Sequence, residues 1–186
     1  PYIQDGTFEV VNSSEAVALS DTPELTREEE ARIIGQITTN WDFNTAKNLA
    51  ESNLTVATAE DKGEVFILAP NDGTARAIAD VFAADSDVTN YVITGQDAEK
   101  ASVQYIIDGK QSMTVLKDVR NLVRDAINAA VALLTGEEPE ATGSYDNGAK
   151  DVPAIQSEVI AVDADNVQDA LIDSGYYEAD DFENLP

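Results

Sequence analysis

The sequence predicts an α/β fold built on a parallel sheet, and three segments carry that reading. PNDGTA from Pro70, TGQDAE from Thr94 and TVLKD from Thr114 each follow an apolar, strand-like run: Val65 to Ala69, Tyr91 to Ile93, and a shorter one ending at Leu116. Each also precedes a run with helical periodicity, so strand, polar turn and helix repeat. Alternation of this kind specifies parallel strands covered by helices on both faces.

The elements follow in order. Thr7 to Val11 alternates like a strand, and Asn12 to Leu25 is polar and irregular, a loop. Thr26 with Glu29 makes a capping box, T-x-x-E, opening a helix with Ala31, Ile34 and Ile37 or Thr38 along one face. Trp41-Asp42 leads into a second helix, with Ala46, Leu49 and Ala50 on its apolar side and Asp42 as its cap. Glu60 to Gly63 is a polar turn. Helices then run over Thr74 to Ala84, Ala98 to Asp108 and about Asp118 to Leu134. In the last of these Val119, Leu122, Val123, Ala126, Ile127, Ala130 and Leu134 fall on one helical face, and Thr135-Gly136 ends it. Glu137 to Lys150 reads as a loop and Val152 to Val162 as an extended run broken by Pro153. A short helix over Asp165 to Ser174 precedes an acidic tail.

Composition excludes several function classes. The chain has 186 residues, enough for one domain with a real core, and a formal charge of −25 from 36 acidic and 11 basic residues. Such a charge repels phosphates and argues against nucleic acid and against an anionic membrane surface. Cysteine and histidine are both absent. A disulfide scaffold, a thiol nucleophile, a Ser-His-Asp device and a His-ligated zinc site are therefore ruled out within the chain. No stretch approaches the roughly 20 apolar residues that span a bilayer. The start, PYIQDGTFEVV, lacks the features of a signal peptide and reads as a chain entered in mid-course.

The three turns place polar side chains at the carboxyl ends of parallel strands, where open α/β sheets bind ligands. Asn71, Asp97 and Lys117 offer an amide, a carboxylate and an ammonium. That set matches a polyhydroxylated ligand, whose hydroxyls both donate and accept.

The run APNDGTA…ITGQDAEKASVQYIIDGKQSMTVLKDVR, with NWDFNTAKNLAE, SYDNGAKDVPAI and DNVQDALIDSGYY, resembles the carboxyl-terminal lobe of bacterial ABC-transporter sugar-binding proteins. The similarity is to xylose-binding and multiple-sugar-binding receptors of the type I periplasmic binding protein fold, and it covers Trp41 to Phe182. It implies the following expectations. The fold is the parallel-sheet three-layer sandwich lobe of such a receptor, incomplete in this chain. Residues 1–118 form most of the sugar-binding lobe, 119–150 a helix and loop packing on an absent amino-terminal lobe, and 151–186 an interlobe extended segment and a carboxyl-terminal helix. The first strand of the lobe, central to its sheet, precedes Pro1. The ligand is an aldose such as xylose, glucose, galactose or arabinose. Trp41 lies against the ring face, while Asn71, Asp97 and Lys117 bind the hydroxyl rim. The partner is an ABC permease in the membrane, and the protein is exported, either periplasmic or lipid-anchored on the outer face of the cytoplasmic membrane. The resemblance implies no catalytic residue, cofactor or metal.

Plainer readings stand beside these. Asp97 could cap the helix from Ala98, Asn71 could be a turn residue with Asp72 as cap, Lys117 a solvated lysine, and Trp41 ordinary packing. Arg76 and Arg120 are expected to pair with neighbouring carboxylates. The cluster Asp163, Asp165, Asp169 and Asp173 lacks the glycine and terminal glutamate of a calcium loop and reads as a solvated helix start. Two other classes remain open at this level: a carboxylate-based glycan hydrolase, and the sensor domain of a sugar-responsive transcriptional regulator.

Overall fold

The computed structural model describes residues 2–3, 5–10 and 12–185. Short helices α1 (Ser14–Ala18) and α2 (Arg27–Gly35) lead into α3 (Phe43–Val56). The strand–helix alternation follows: β1 (Glu64–Ile67), α4 (Asp72–Ala84), β2 (Asn90–Ile93), α5 (Lys100–Ile107), β3 (Thr114–Lys117) and α6 (Val119–Thr135). Strands β4 (Gly143–Asp146), β5 (Asp151–Ala154) and β6 (Val159–Val162) precede a π-helical segment, Gln168–Asp173, and a 3₁₀ turn, Ala179–Asp181. The chain is thus α/β, as its sequence predicts.

Strands β1 and β2 pair in parallel, Glu64 opposite Asn90 through Ile67 opposite Ile93. β3 does not extend that ladder. It meets β2 through separate bonds, Ser112 N–H to Ile93 O at 3.2 Å and Asp97 N–H to Val115 O at 2.9 Å. Its ladder partner is β6, antiparallel, with Thr114 opposite Val162. The run over 152–162 is accordingly two strands. β5 forms an antiparallel hairpin with β4, which occupies part of the span read as loop.

The amino-terminal segment departs from the sequence expectation in two ways. Residues 7–10 are not a strand, because no described strand lies beside them to complete a ladder; Val11 lies outside the described residues. The span read as an irregular loop contains α1, whose cap is the Ser13 hydroxyl accepting from Ala16 N–H at 3.1 Å. The Thr26–Glu29 capping box forms as predicted, but α2 buries no residue and Ile34 on its apolar side is exposed.

Among the described residues three apolar clusters hold the structure. Ala50 and Leu54 of α3 meet Phe82 of α4 over Val65 and Ile67 of β1. Ala69, Ala75 and Ile93 fill the space under the first turn. Val103 of α5, Leu116 of β3, Val162 of β6, Val167, Leu171 and Phe182 form the third, so the carboxyl-terminal segment seals that side. By contrast α6 buries none of its residues. Val119, Leu122, Val123, Ile127, Val131 and Leu134 all stand exposed, the last at 87%. Phe66 and Leu68 at β1 are also exposed, with Phe66 in edge contact with Phe8, ring centroids 4.9 Å apart. Among the described residues β1 pairs only with β2, leaving its other edge open.

Candidate functional site

The turn after β1 begins with Asn71, which caps α4. Its side-chain oxygen accepts from Thr74 N–H at 3.2 Å and from the Thr74 hydroxyl. The amide nitrogen Nδ2 makes no hydrogen bond among the described residues and remains available as a donor. The alternative in which Asp72 is the cap does not hold. Asp72 is fully buried instead.

The turn after β2 is conformationally unusual. Asp97 has φ 103° and Ala98 φ 49°, left-handed values on residues that carry a Cβ. Each such residue costs on the order of 1–3 kcal/mol and persists only where its surroundings hold it. The helix α5 starts later, at Lys100, so Asp97 is not its cap. The carboxylate reaches across to the end of β3, where Lys117 Nζ lies 3.0 Å from Asp97 Oδ1. Both side chains are roughly two-fifths exposed, so the pair is open to solvent. Each keeps polar capacity for a third party: the carboxylate has further lone pairs and the ammonium further protons.

Beneath these turns sits a buried polar knot. Asp72 Oδ2 accepts from Glu99 N–H at 2.7 Å. Asp72 Oδ1 accepts from the Thr114 hydroxyl at 2.8 Å and from Gln111 Nε2 at 3.0 Å. Asp72 N–H donates to Gln96 O at 2.9 Å, and Ala98 N–H donates to Thr114 Oγ1 at 3.1 Å. From the other side, the Tyr177 hydroxyl donates to Ala98 O at 2.9 Å. Burial pushes the Asp72 carboxyl above the usual range, opposed by the hydrogen bonds from Thr114, Gln111 and Glu99. Gly95 is required here, since a Cβ would stand 2.3 Å from both Asp72 Oδ1 and Gln111 Nε2.

Trp41 is 68% exposed and therefore not core packing. It precedes α3 in a left-handed conformation, φ 61°, and Asp42 caps the helix through Thr45 N–H at 2.7 Å. The carboxyl-terminal halves of α3 and α4 share one apolar cluster.

The arginines behave as expected. Arg76 pairs with Glu99 at 2.7 Å and donates to Ser102 Oγ at 2.7 Å; Arg120 pairs with Asp118 at 2.8 Å. Asp163 caps the turn at Asp165 and Asn166, and among the described residues no group of three acidic side chains could hold a metal ion. A concavity of about 610 Å³ lies elsewhere, lined by Lys100, Gln104, Asp108, Asp181 and Glu183, and includes none of the turn residues. The candidate site is a wall carrying polar side chains, not an enclosed pocket. The participant that sequence reading considered only as an alternative cap is Asp72. Its only signal was its place beside Asn71, and its burial depends on Gln111 and Thr114, some forty residues on.

Residues 6–138 match the family model described as a periplasmic binding protein domain. The multiple sugar-binding periplasmic receptor ChvE of Rhizobium radiobacter is 36% identical over 149 residues, covering 77% of this chain and 42% of that protein. The D-xylose-binding periplasmic protein of Haemophilus influenzae is 33% identical over 147 residues, covering 78% and 43%. Among solved structures, a carbohydrate transporter solute-binding protein from Chloroflexus aurantiacus in complex with D-glucose is 75% identical. Its TM-score is 0.96, over 100% of this chain and 55% of that one. An ABC transporter solute-binding protein from Clostridium phytofermentans with bound β-D-glucose is 31% identical, with a TM-score of 0.72, over 89% and 52%. The chain spans about half the length of the relatives it matches. These relatives are solute-binding proteins and carry no enzyme name.

Proposed function

Because the chain belongs to the periplasmic binding protein domain family, we propose that it is the carboxyl-terminal, monosaccharide-binding part of an exported receptor that serves an ABC importer. The observation that carries this is the likeness over the whole chain, at 75% identity, to a solute-binding protein in complex with D-glucose. The geometry agrees with it. Asn71, Asp97 and Lys117 present a donor, an acceptor and a donor at the carboxyl ends of β1, β2 and β3. Hydroxyl groups fit such a set, and hydrogen bonds to charged groups contribute about 1.5–3 kcal/mol each. Trp41, exposed ahead of α3, offers an aromatic face to the C–H side of a sugar ring.

The mechanism is capture without bond-making. A second lobe closes over the wall, excludes water and fixes the sugar, and the closed form docks on a permease in the membrane. The exposed apolar face of α6 fits a surface that the second lobe covers, and the open edge of β1 fits a further central strand. Turnover forms no part of this function: the charged pair at the turns is an ion pair, Asp97 with Lys117, not the two carboxylates a glycan hydrolase needs.

The test is a thermal-shift screen of the full reading frame's product against aldoses, amino acids and nucleobases. Selective stabilisation by one or more aldoses is expected, since a ligand that binds only the folded state raises its stability by mass action. Stabilisation by amino acids or nucleobases alone would overturn the sugar reading.

A further inference from the structure

We propose that Asp72, which is fully buried, is the positioning residue of the binding wall, tying the Asn71 and Asp97 turns to β3, the strand that carries Lys117 at its end. The proposal deepens the sugar-binding reading and rests on it. Asp72 belongs to the first turn, where it follows Asn71 and opens α4. Its two carboxylate oxygens reach the second turn and β3: Oδ2 accepts from Glu99 N–H of the second turn, and Oδ1 from the Thr114 hydroxyl at the start of β3. Gln111 Nε2 donates to the same Oδ1 and also to Met113 O at 3.0 Å, bracing the approach to β3.

The second turn needs this support more than the others. Asp97 and Ala98 are consecutive non-glycine residues at positive φ, an arrangement that relaxes unless it is held. Their backbone is held by Asp97 N–H to Val115 O and by Ala98 N–H to Thr114 Oγ1. The Thr114 hydroxyl can accept from Ala98 in a fixed orientation because its own proton is committed to Asp72. Glu99 N–H, the next residue, goes directly to Asp72. Asp72 therefore governs two of the three successive amides that aim the Asp97 carboxylate at Lys117.

A neutral side chain cannot replace it. All three groups around Asp72 are donors, and only a carboxylate offers two acceptor oxygens and no proton of its own. Asparagine keeps the volume but meets three donors with one oxygen. The fit is tight as well, since a single Cβ at Gly95 would fall on Asp72 Oδ1.

The experiment compares Asp72→Asn and Gly95→Ala with Leu54→Ala in the full reading frame's product. Leu54 is buried between α3 and α4 at the far end of the helices and serves as a destabilised control that touches no turn. Two quantities are read: the Kd for D-glucose by calorimetry, and the hydrogen-exchange rates of the Ala98 and Glu99 amides. In Asp72→Asn and Gly95→Ala the Kd is expected to rise about ten- to a hundred-fold, the worth of one hydrogen bond to a charged group. Exchange at Ala98 and Glu99 should accelerate by more than stability loss explains, while Leu54→Ala leaves both near wild type. Equal behaviour of Asp72→Asn and Leu54→Ala in both readouts would overturn the proposal. If the wild type binds no aldose, the sugar reading has failed and the exchange rates alone decide whether Asp72 fixes the turn.

Discussion

Replacing Thr114 by valine keeps the shape of a fully buried side chain and removes one hydroxyl. That hydroxyl makes two bonds, donating to Asp72 Oδ1 at 2.8 Å and accepting from Ala98 N–H at 3.1 Å. Losing a hydrogen bond to a charged group costs about 1.5–3 kcal/mol, and leaving a buried amide unsatisfied costs about 1–3 kcal/mol more. The gained methyl returns roughly 0.8 kcal/mol. The net loss for Thr114→Val is therefore about 2–5 kcal/mol. Thr114→Ser retains both bonds and loses only one methyl, for about 1 kcal/mol. Urea unfolding of both variants, with ΔG extrapolated to water, measures the difference directly. If valine and serine agree to within about 0.5 kcal/mol, the hydroxyl is not holding the knot and the reasoning fails.

Further outcomes follow from the same geometry. Asn71→Asp keeps the oxygen that caps α4 but loses the Nδ2 donor, so sugar affinity should fall with the urea midpoint nearly unchanged; Asn71→Ala should lose about 1 kcal/mol of stability as well. Lys117→Met removes a solvent-open ion pair, costing under about 1 kcal/mol of stability, yet a calorimetric Kd should rise about tenfold or more. The Asp72 carboxyl is raised in the fold by burial, so the folded state binds its proton more tightly than the unfolded chain. Its contribution to stability therefore falls as pH rises from the ordinary carboxylate range into the raised one. Urea midpoints of wild type relative to Asp72→Asn should accordingly increase as pH is lowered from neutral toward the ordinary carboxylate range. Asp42, Asp85 and Asp118 act in the opposite sense. Hydrogen bonds from Thr45, Lys62 and Arg120 hold them below the usual range, so their stabilisation is present at neutral pH and lost only in stronger acid. Finally, micromolar affinity corresponds to about −8.2 kcal/mol, and one wall supplying half of it gives a Kd near 1 mM for this chain by itself, measurable by ligand-observed NMR.

Local chemistry made much of the fold legible. The Thr26–Glu29 box, the Asp42 cap and the Gly136 terminus of α6, at φ 78°, are short-range devices, and each forms where the residues call for it. The three turns likewise follow from apolar runs that stop at polar residues. What stayed hidden depends on partners. Residues 7–10 alternate like a strand, but alternation makes a ladder only beside another strand. β4 carries little apolar signal because it is exposed and, among the described residues, pairs only within its own hairpin. Asp72 offered itself only as an alternative cap, since nothing near it in the chain announces that Gln111 and Thr114 will enclose it. The meeting of Asp97 with Lys117 was likewise invisible, because it depends on a left-handed turn at residues that ordinarily avoid one.

The most direct measurement is a calorimetric titration of the full reading frame's product with D-glucose, run beside Asp97→Ala. A monosaccharide receptor predicts saturable one-to-one binding in the wild type and affinity at least about tenfold weaker in the variant, which has lost a charged acceptor. Binding of equal strength in both would remove Asp97 and its turn from the site, and no binding of glucose or any other aldose would contradict the proposed function itself.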